Sequence, residues 1–197
     1  MATHFSIYSA ADKVFQPIKA CSCKTSCSAK KQRKGKKAVS ICSFVLATTD
    51  HLDDVMAGLV FLKTIPGIDP KRLAIVGHSF GGQLTLLAAE RDNTVRAAVT
   101  VSAAAGSWER SPELRKRLLT AVDKSIAPIM LIPAANDYST APGYALASEL
   151  ERLHKPHLLK IYPTVGKTSE DGHNFFYLAI PQWEPDVFGF LDEHVKR

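Results

Sequence analysis

Residues 73–90 read Leu73-Ala-Ile-Val-Gly-His-Ser-Phe-Gly-Gly-Gln-Leu-Thr-Leu-Leu-Ala-Ala-Glu90. An apolar run, Leu73 to Val76, ends in Gly77-His78-Ser79-Phe80-Gly81, and an Ala/Leu-rich helical pattern follows at once. This is G-x-S-x-G between a strand and a helix, the setting in which the pattern has mechanical meaning. The turn is sharp enough to strain the serine backbone and push its hydroxyl into the open. Gly77 and Gly81 lack the side chains that would clash where strand and helix pass closely. The helix start brings unpaired amides and a positive dipole end to the same place.

Two further apolar runs lie downstream. Pro128 to Pro133 leads into Ala134-Ala-Asn136-Asp137-Tyr138. Leu158 to Tyr162 leads through a glycine-containing loop to Asp171-Gly172-His173. Ser79 and Asp137 are 58 residues apart, and Asp137 and His173 are 36 apart. Each gap has room for one or two β–α units. The acid and the histidine then also emerge at the carboxyl ends of parallel strands, where such sheets place their sites.

From about Thr49 to Arg197 the chain resembles an α/β-hydrolase of the dienelactone-hydrolase-like group. The motifs that carry the resemblance are Gly77-His-Ser-Phe-Gly-Gly82, Ala135-Asn-Asp-Tyr-Ser-Thr-Ala-Pro142, and Tyr162-Pro163 followed by Gly172-His173. Dienelactone hydrolase itself uses a cysteine nucleophile, so the serine here points to its esterase-like relatives. The chain order serine, acid, histidine is that of the superfamily. The resemblance implies a serine hydrolase that cleaves carboxylic esters of small molecules through an acyl-enzyme, with no metal or organic cofactor. Ser79 would be the nucleophile, His173 the base, and Asp137 the residue that orients the base. The backbone N–H of Phe80 would be one oxyanion donor. Asp171 is the rival acid, and Asn136-Asp137 also reads as a helix cap. His154, His157 and His194 follow no strand end as His173 does, and His78, at the variable position of the turn, reads as structural rather than catalytic. Trp108, Tyr138, Phe175 and Phe176 fall in loops near the strand ends. There they either line a substrate pocket or pack beneath the loops.

The rest of the pattern predicts a three-layer, mostly parallel α/β sheet. Helices are expected over about 50–63, 80–91, 112–122, 142–153 and 181–195. Strands are expected over 73–76, 95–101, 129–133 and 158–162. The remainder, including 163–180, reads as loop.

The first quarter differs from this. Residues 1–49 hold nine Lys/Arg against one acid, Asp12, a net of +8; residues 50–197 hold 16 against 18, a net of −2. The basic excess therefore does not describe the catalytic part, and a nucleic-acid role for that part is unsupported. Cys21, Cys23, Cys27 and Cys42 also lie in the first quarter, and the 155 residues after Cys42 contain none. A cysteine-free core fits a reducing, cytoplasmic setting. The Lys/Arg- and Ser-rich, acid-poor start also matches an organelle transit peptide. The three closely spaced cysteines are a weak metal signal, because no histidine completes them. No apolar run is long enough to span a bilayer.

These contrasts divide the chain into an atypical segment, 1–48, and a catalytic domain, 49–197. The atypical segment is expected to be weakly structured apart from a possible strand over 39–46. No His-Gly loop precedes Ser79 to supply a second oxyanion donor. Residues 1–48 thus read as a replacement for the usual start, as a leader, an assembly boundary or a shifted reading frame. The sheet should then lack some early strands. Three alternatives follow: an impaired hydrolase-like protein without a complete oxyanion hole, a hydrolase of amides or lactones, or a binding protein acting through its basic tail. The oligomeric state is not encoded in any of these features.

Overall fold

Three largely apolar runs, broken only in the second by the exposed Arg96 and by Thr100, form the middle of the sheet, as strands covered on both faces require. A computed structural model describes residues 4–9 and 14–19 as backbone strands, together with residues 45 and 47–196. The middle strands are β3 (Leu73–His78), β4 (Val95–Val101) and β5 (Ile129–Ile132), with the short β6 (His157–Leu159) beside them. All neighbours in this group pair in parallel. On the other side of β3 lies β1 (His4–Ser9), antiparallel to it, with β2 (Val14–Lys19) antiparallel to β1. The described strands run in the order β2-β1-β3-β4-β5-β6.

Helices cover both faces. They are α1 (Asp50–Leu62), α2 (Phe80–Arg91), α3 (Pro112–Lys124), α4 (Ala141–Arg152), the short α5 (Ser169–His173) and α6 (Phe175–Leu178), and α7 (Ile180–Val195). Alternation along β3 sorts them. Leu73 and Ile75 face a cluster built with Leu52, Leu59, Leu84 and Leu118, from α1, α2 and α3. Ala74 and Val76 face a second cluster with Phe175, Trp183, Val187 and Leu191, from α6 and α7. The period-2 side-chain alternation of a strand thus separates the two layers.

The parallel α/β architecture matches the expectation, with these element ends either coinciding or shifted by at most three residues. Two differences are larger. The segment expected to be weakly structured supplies β1 and β2. Its lysine run dominates the average composition and masks two short strands. Pairing with β1 also satisfies one hydrogen-bonding edge of β3. The expected strand over 39–46 lies outside the described residues except for Val45, which is helical. The second difference is α5 and α6, which occupy a stretch read as loop.

Candidate active site

Ser79 joins β3 to α2 with φ 56° and ψ −114°, a left-handed backbone that a serine holds only when its surroundings over-determine it. Its N–H donates to the Val101 carbonyl at 2.8 Å, tying the turn to the end of β4. Its carbonyl accepts from the N–H groups of Gly82 and Gln83. Gly77 shows why the turn needs glycine. A Cβ there would lie 2.2 Å from the carbonyl oxygen of Gly81 and 2.4 Å from Thr85 Oγ1. Phe80 is the first residue of α2, so its N–H has no carbonyl one turn back within the helix.

Asp137 follows β5, where Ala134 bridges to Tyr162 and the Asp137 N–H closes a turn on the Ala134 carbonyl. Its side chain is fully buried. Oδ1 accepts the N–H of Tyr138 at 2.7 Å and lies 2.8 Å from His173 Nδ1. Oδ2 is buried and has no hydrogen-bond partner among the described residues. On the other side of the imidazole, His173 Nε2 lies 2.9 Å from Ser79 Oγ. A carboxylate only accepts, so Nδ1 carries the proton it donates to Asp137. The Nε2 lone pair then faces the serine hydroxyl. The arrangement can accept a proton from Ser79 and hold the resulting imidazolium beside a buried negative charge.

His173 is the last residue of α5, and two devices place that short helix. The first is a capping box at its start. The N–H groups of Lys167 and Thr168 both donate to Asp171 Oδ2 at 2.9 Å, and the Asp171 N–H donates to Thr168 Oγ1 at 3.1 Å. These bonds from Lys167 and Thr168 hold the Asp171 carboxyl below the usual carboxylate range. The rival acid is thus engaged by its own helix, while Asp137 meets the imidazole. The second device is Asn136. Its Nδ2 donates to the carbonyls of Val165 and Thr168 at 2.8 Å, and its Oδ1 accepts the Val165 N–H at 3.0 Å. Gly172 packs directly on it, and a Cβ there would lie 2.4 Å from the Asn136 carbonyl. The sequence offered Asn136 only as a helix cap, because its partners lie about thirty residues away.

The expected pocket residues divide. The Tyr138 ring leans over the His173 imidazole, with centroids 4.6 Å apart, and is 41% exposed. Trp108 is buried in the first apolar cluster. Phe175 is a correction: it is fully buried and stacks on Tyr162 in the second cluster, so it offers no surface to a substrate. Its neighbour Phe176 stacks on Trp183 at 4.2 Å. Among the described residues, no group of three or more His, Cys, Asp or Glu side chains gathers closely enough to hold a metal ion. The cysteines lie outside those residues. No described helix is long and apolar enough to cross a membrane.

The model of the dienelactone hydrolase family matches residues 27–177. Several solved structures share the fold. An acylaminoacyl peptidase of Pyrococcus horikoshii superposes with a TM-score of 0.62 at 18% identity, over 77% of this chain and 29% of that one. A puromycin-hydrolyzing peptidase of Mycobacterium tuberculosis gives 0.54 at 19%, over 73% and 25%. Dipeptidyl peptidase 4 of Porphyromonas gingivalis gives 0.55 at 18%, over 73% and 22%. The chain thus spans about a quarter of the length of these structures. No curated protein sequence matches it.

Proposed function

The chain belongs to the dienelactone hydrolase family, and we propose that it is a serine hydrolase that cleaves carboxylic esters through an acyl-enzyme. The observation that carries this reading is the unbroken line from Ser79 Oγ through the His173 ring to Asp137, at 2.9 and 2.8 Å. As Ser79 Oγ bonds to the ester carbon, its proton passes to His173 Nε2. The carbonyl π pair moves onto oxygen. The Phe80 N–H, at the positive end of α2, faces that developing charge. On collapse the carbon–oxygen bond to the alcohol breaks, and His173 returns the proton to the departing oxygen. Water then repeats the sequence against the acyl-Ser79 ester and releases the acid. Asp137 keeps the proton on Nδ1 throughout and stabilises the imidazolium.

A second reading is amide hydrolysis. It is favoured by the three superposed structures, whose names are those of peptidases. The same residues serve it, with a heavier demand on His173 because an amine must be protonated to leave. Paired p-nitrophenyl ester and p-nitroanilide substrates separate the two readings. Ser79→Ala should abolish ester turnover and covalent labelling by a fluorophosphonate, with unchanged circular dichroism. Labelling that persists at another serine refutes the assignment.

A further inference from the structure

His78 fills the variable position of the Gly77-His78-Ser79-Phe80-Gly81 turn, and its side chain does not point idly to solvent. Its Nε2 lies 2.7 Å from the main-chain oxygen of His173. A carbonyl oxygen only accepts, so Nε2 must carry a proton there. In the neutral ring Nδ1 is then an acceptor, and the Tyr177 hydroxyl lies 3.4 Å from it. The ring sits parallel to Phe176 at a centroid distance of 6.5 Å and edge-on to Tyr177 at 5.2 Å. Its orientation is therefore set by packing as well as by hydrogen bonding.

The target of this bond matters. His173 ends a helix of only five residues. A helix leaves its last carbonyls without N–H partners one turn on, and so short a helix has few internal bonds to resist rotation. Any rotation of the main chain at His173 swings its imidazole away from Ser79. Two adjacent residues of the β3–α2 turn thus hold the same histidine, Ser79 by the ring and His78 by the backbone.

We propose that His78 is a positioning residue: it pins the backbone of His173 to the turn that carries Ser79, so that the base stands within reach of the nucleophile before substrate arrives. The inference rests on the reading of Ser79 and His173 as nucleophile and base. Its energetic sense is that of preorganisation, in which a displacement of about 1 Å can cost a hundredfold in rate.

The test uses the full chain and three variants: His78→Leu, which removes the donor; His78→Gln, whose amide donates from a position like Nε2; and Tyr177→Phe, which removes the hydroxyl that faces Nδ1. Two readouts are taken. One is kcat and KM on a short p-nitrophenyl ester. The other is the downfield proton NMR signal of His173 Nδ1–H, assigned by its loss in His173→Gln, which needs no turnover. His78→Leu should lower kcat about tenfold or more with KM within about twofold, and should broaden or shift the Nδ1–H signal. His78→Gln should recover both, and Tyr177→Phe should move both in the same direction by less. Wild-type signal and kcat in His78→Leu overturn the proposal, as does failure of His78→Gln to improve on it. If His78→Leu does not fold, Tyr177→Phe decides, and an unchanged signal and kcat overturn the proposal. A wild-type chain without ester turnover, but with an Nδ1–H signal that responds to His78, overturns the functional reading and leaves the positioning role standing.

Discussion

Replacing Asp137 with Asn keeps the shape of the acid and removes its charge. The two donors that meet at Oδ1, the Tyr138 N–H at 2.7 Å and the His173 Nδ1–H at 2.8 Å, decide how the amide settles. With its oxygen at Oδ1 it accepts from both. Turned around, its NH₂ would face two N–H groups. The oxygen therefore stays, Nδ1 keeps its proton, and the lone pair of Nε2 still faces Ser79. What is lost is the negative charge beside the imidazolium. With charge centres about 4 Å apart and an effective dielectric constant of about 20, that interaction is about 4 kcal/mol. The expected fall in kcat is thus about 10³-fold. KM should change little, because the Asp137 side chain is buried beneath the imidazole and presents no surface to substrate. Oδ2 receives no hydrogen bond among the described residues, so the NH₂ that takes its place breaks none, and the separate change in stability should not exceed about 1–3 kcal/mol. The assay is steady-state hydrolysis of p-nitrophenyl acetate with urea unfolding in parallel. A fall of less than tenfold, or an equal fall in Asp171→Asn, would refute the reasoning. Disappearance of the His173 Nδ1–H signal would show that the amide had turned.

Asp171→Asn should act on stability and pH dependence rather than on the chemical step. The folded acid is held below its ordinary value of 3.8 by bonds from Lys167 and Thr168. The stability it adds is therefore complete above that value and is lost as pH falls through the lower folded value. The melting-temperature gap between wild type and Asp171→Asn should be open at pH 7 and should close as pH drops below about 4; a gap that widens in acid contradicts this. Asn136→Ala removes three hydrogen bonds to the loop that carries α5 and should cost about 1–3 kcal/mol in urea unfolding. It should also lower kcat, and full activity in that variant would show that the loop holds its place without Asn136.

The parts of this protein that sequence revealed are those where physics dictates residue type locally. Strands covered on both faces must be largely apolar, so Leu73–Val76 and Ile129–Ile132 stand out as unbroken runs and Val95–Val101 as one broken only by Arg96 and Thr100. The turn at Ser79 must have glycine where a Cβ would meet the Gly81 carbonyl. The short helices α5 and α6 left no such mark. A helical period needs a window of about eleven residues or more, and Asn174 divides this stretch into helices of five and four. Phe175 misled for a related reason. Without a period to say which side faces the core, an aromatic after the histidine reads equally as pocket wall or as packing.

The same distinction separates the residues proposed to react from those that hold them. In the proposed acyl transfer Ser79 serves as nucleophile, His173 as base and Asp137 as its acid partner, roles open to few residue types, so these three stand out at strand ends. Asn136 and His78 are restricted only by where a distant loop passes. Each immediately precedes a residue of the proposed triad, and each grips the stretch 165–173 through backbone atoms. A backbone carbonyl looks the same whatever side chain it bears. The partner in such a bond therefore leaves no signature in its own sequence, and only the folded chain identifies it.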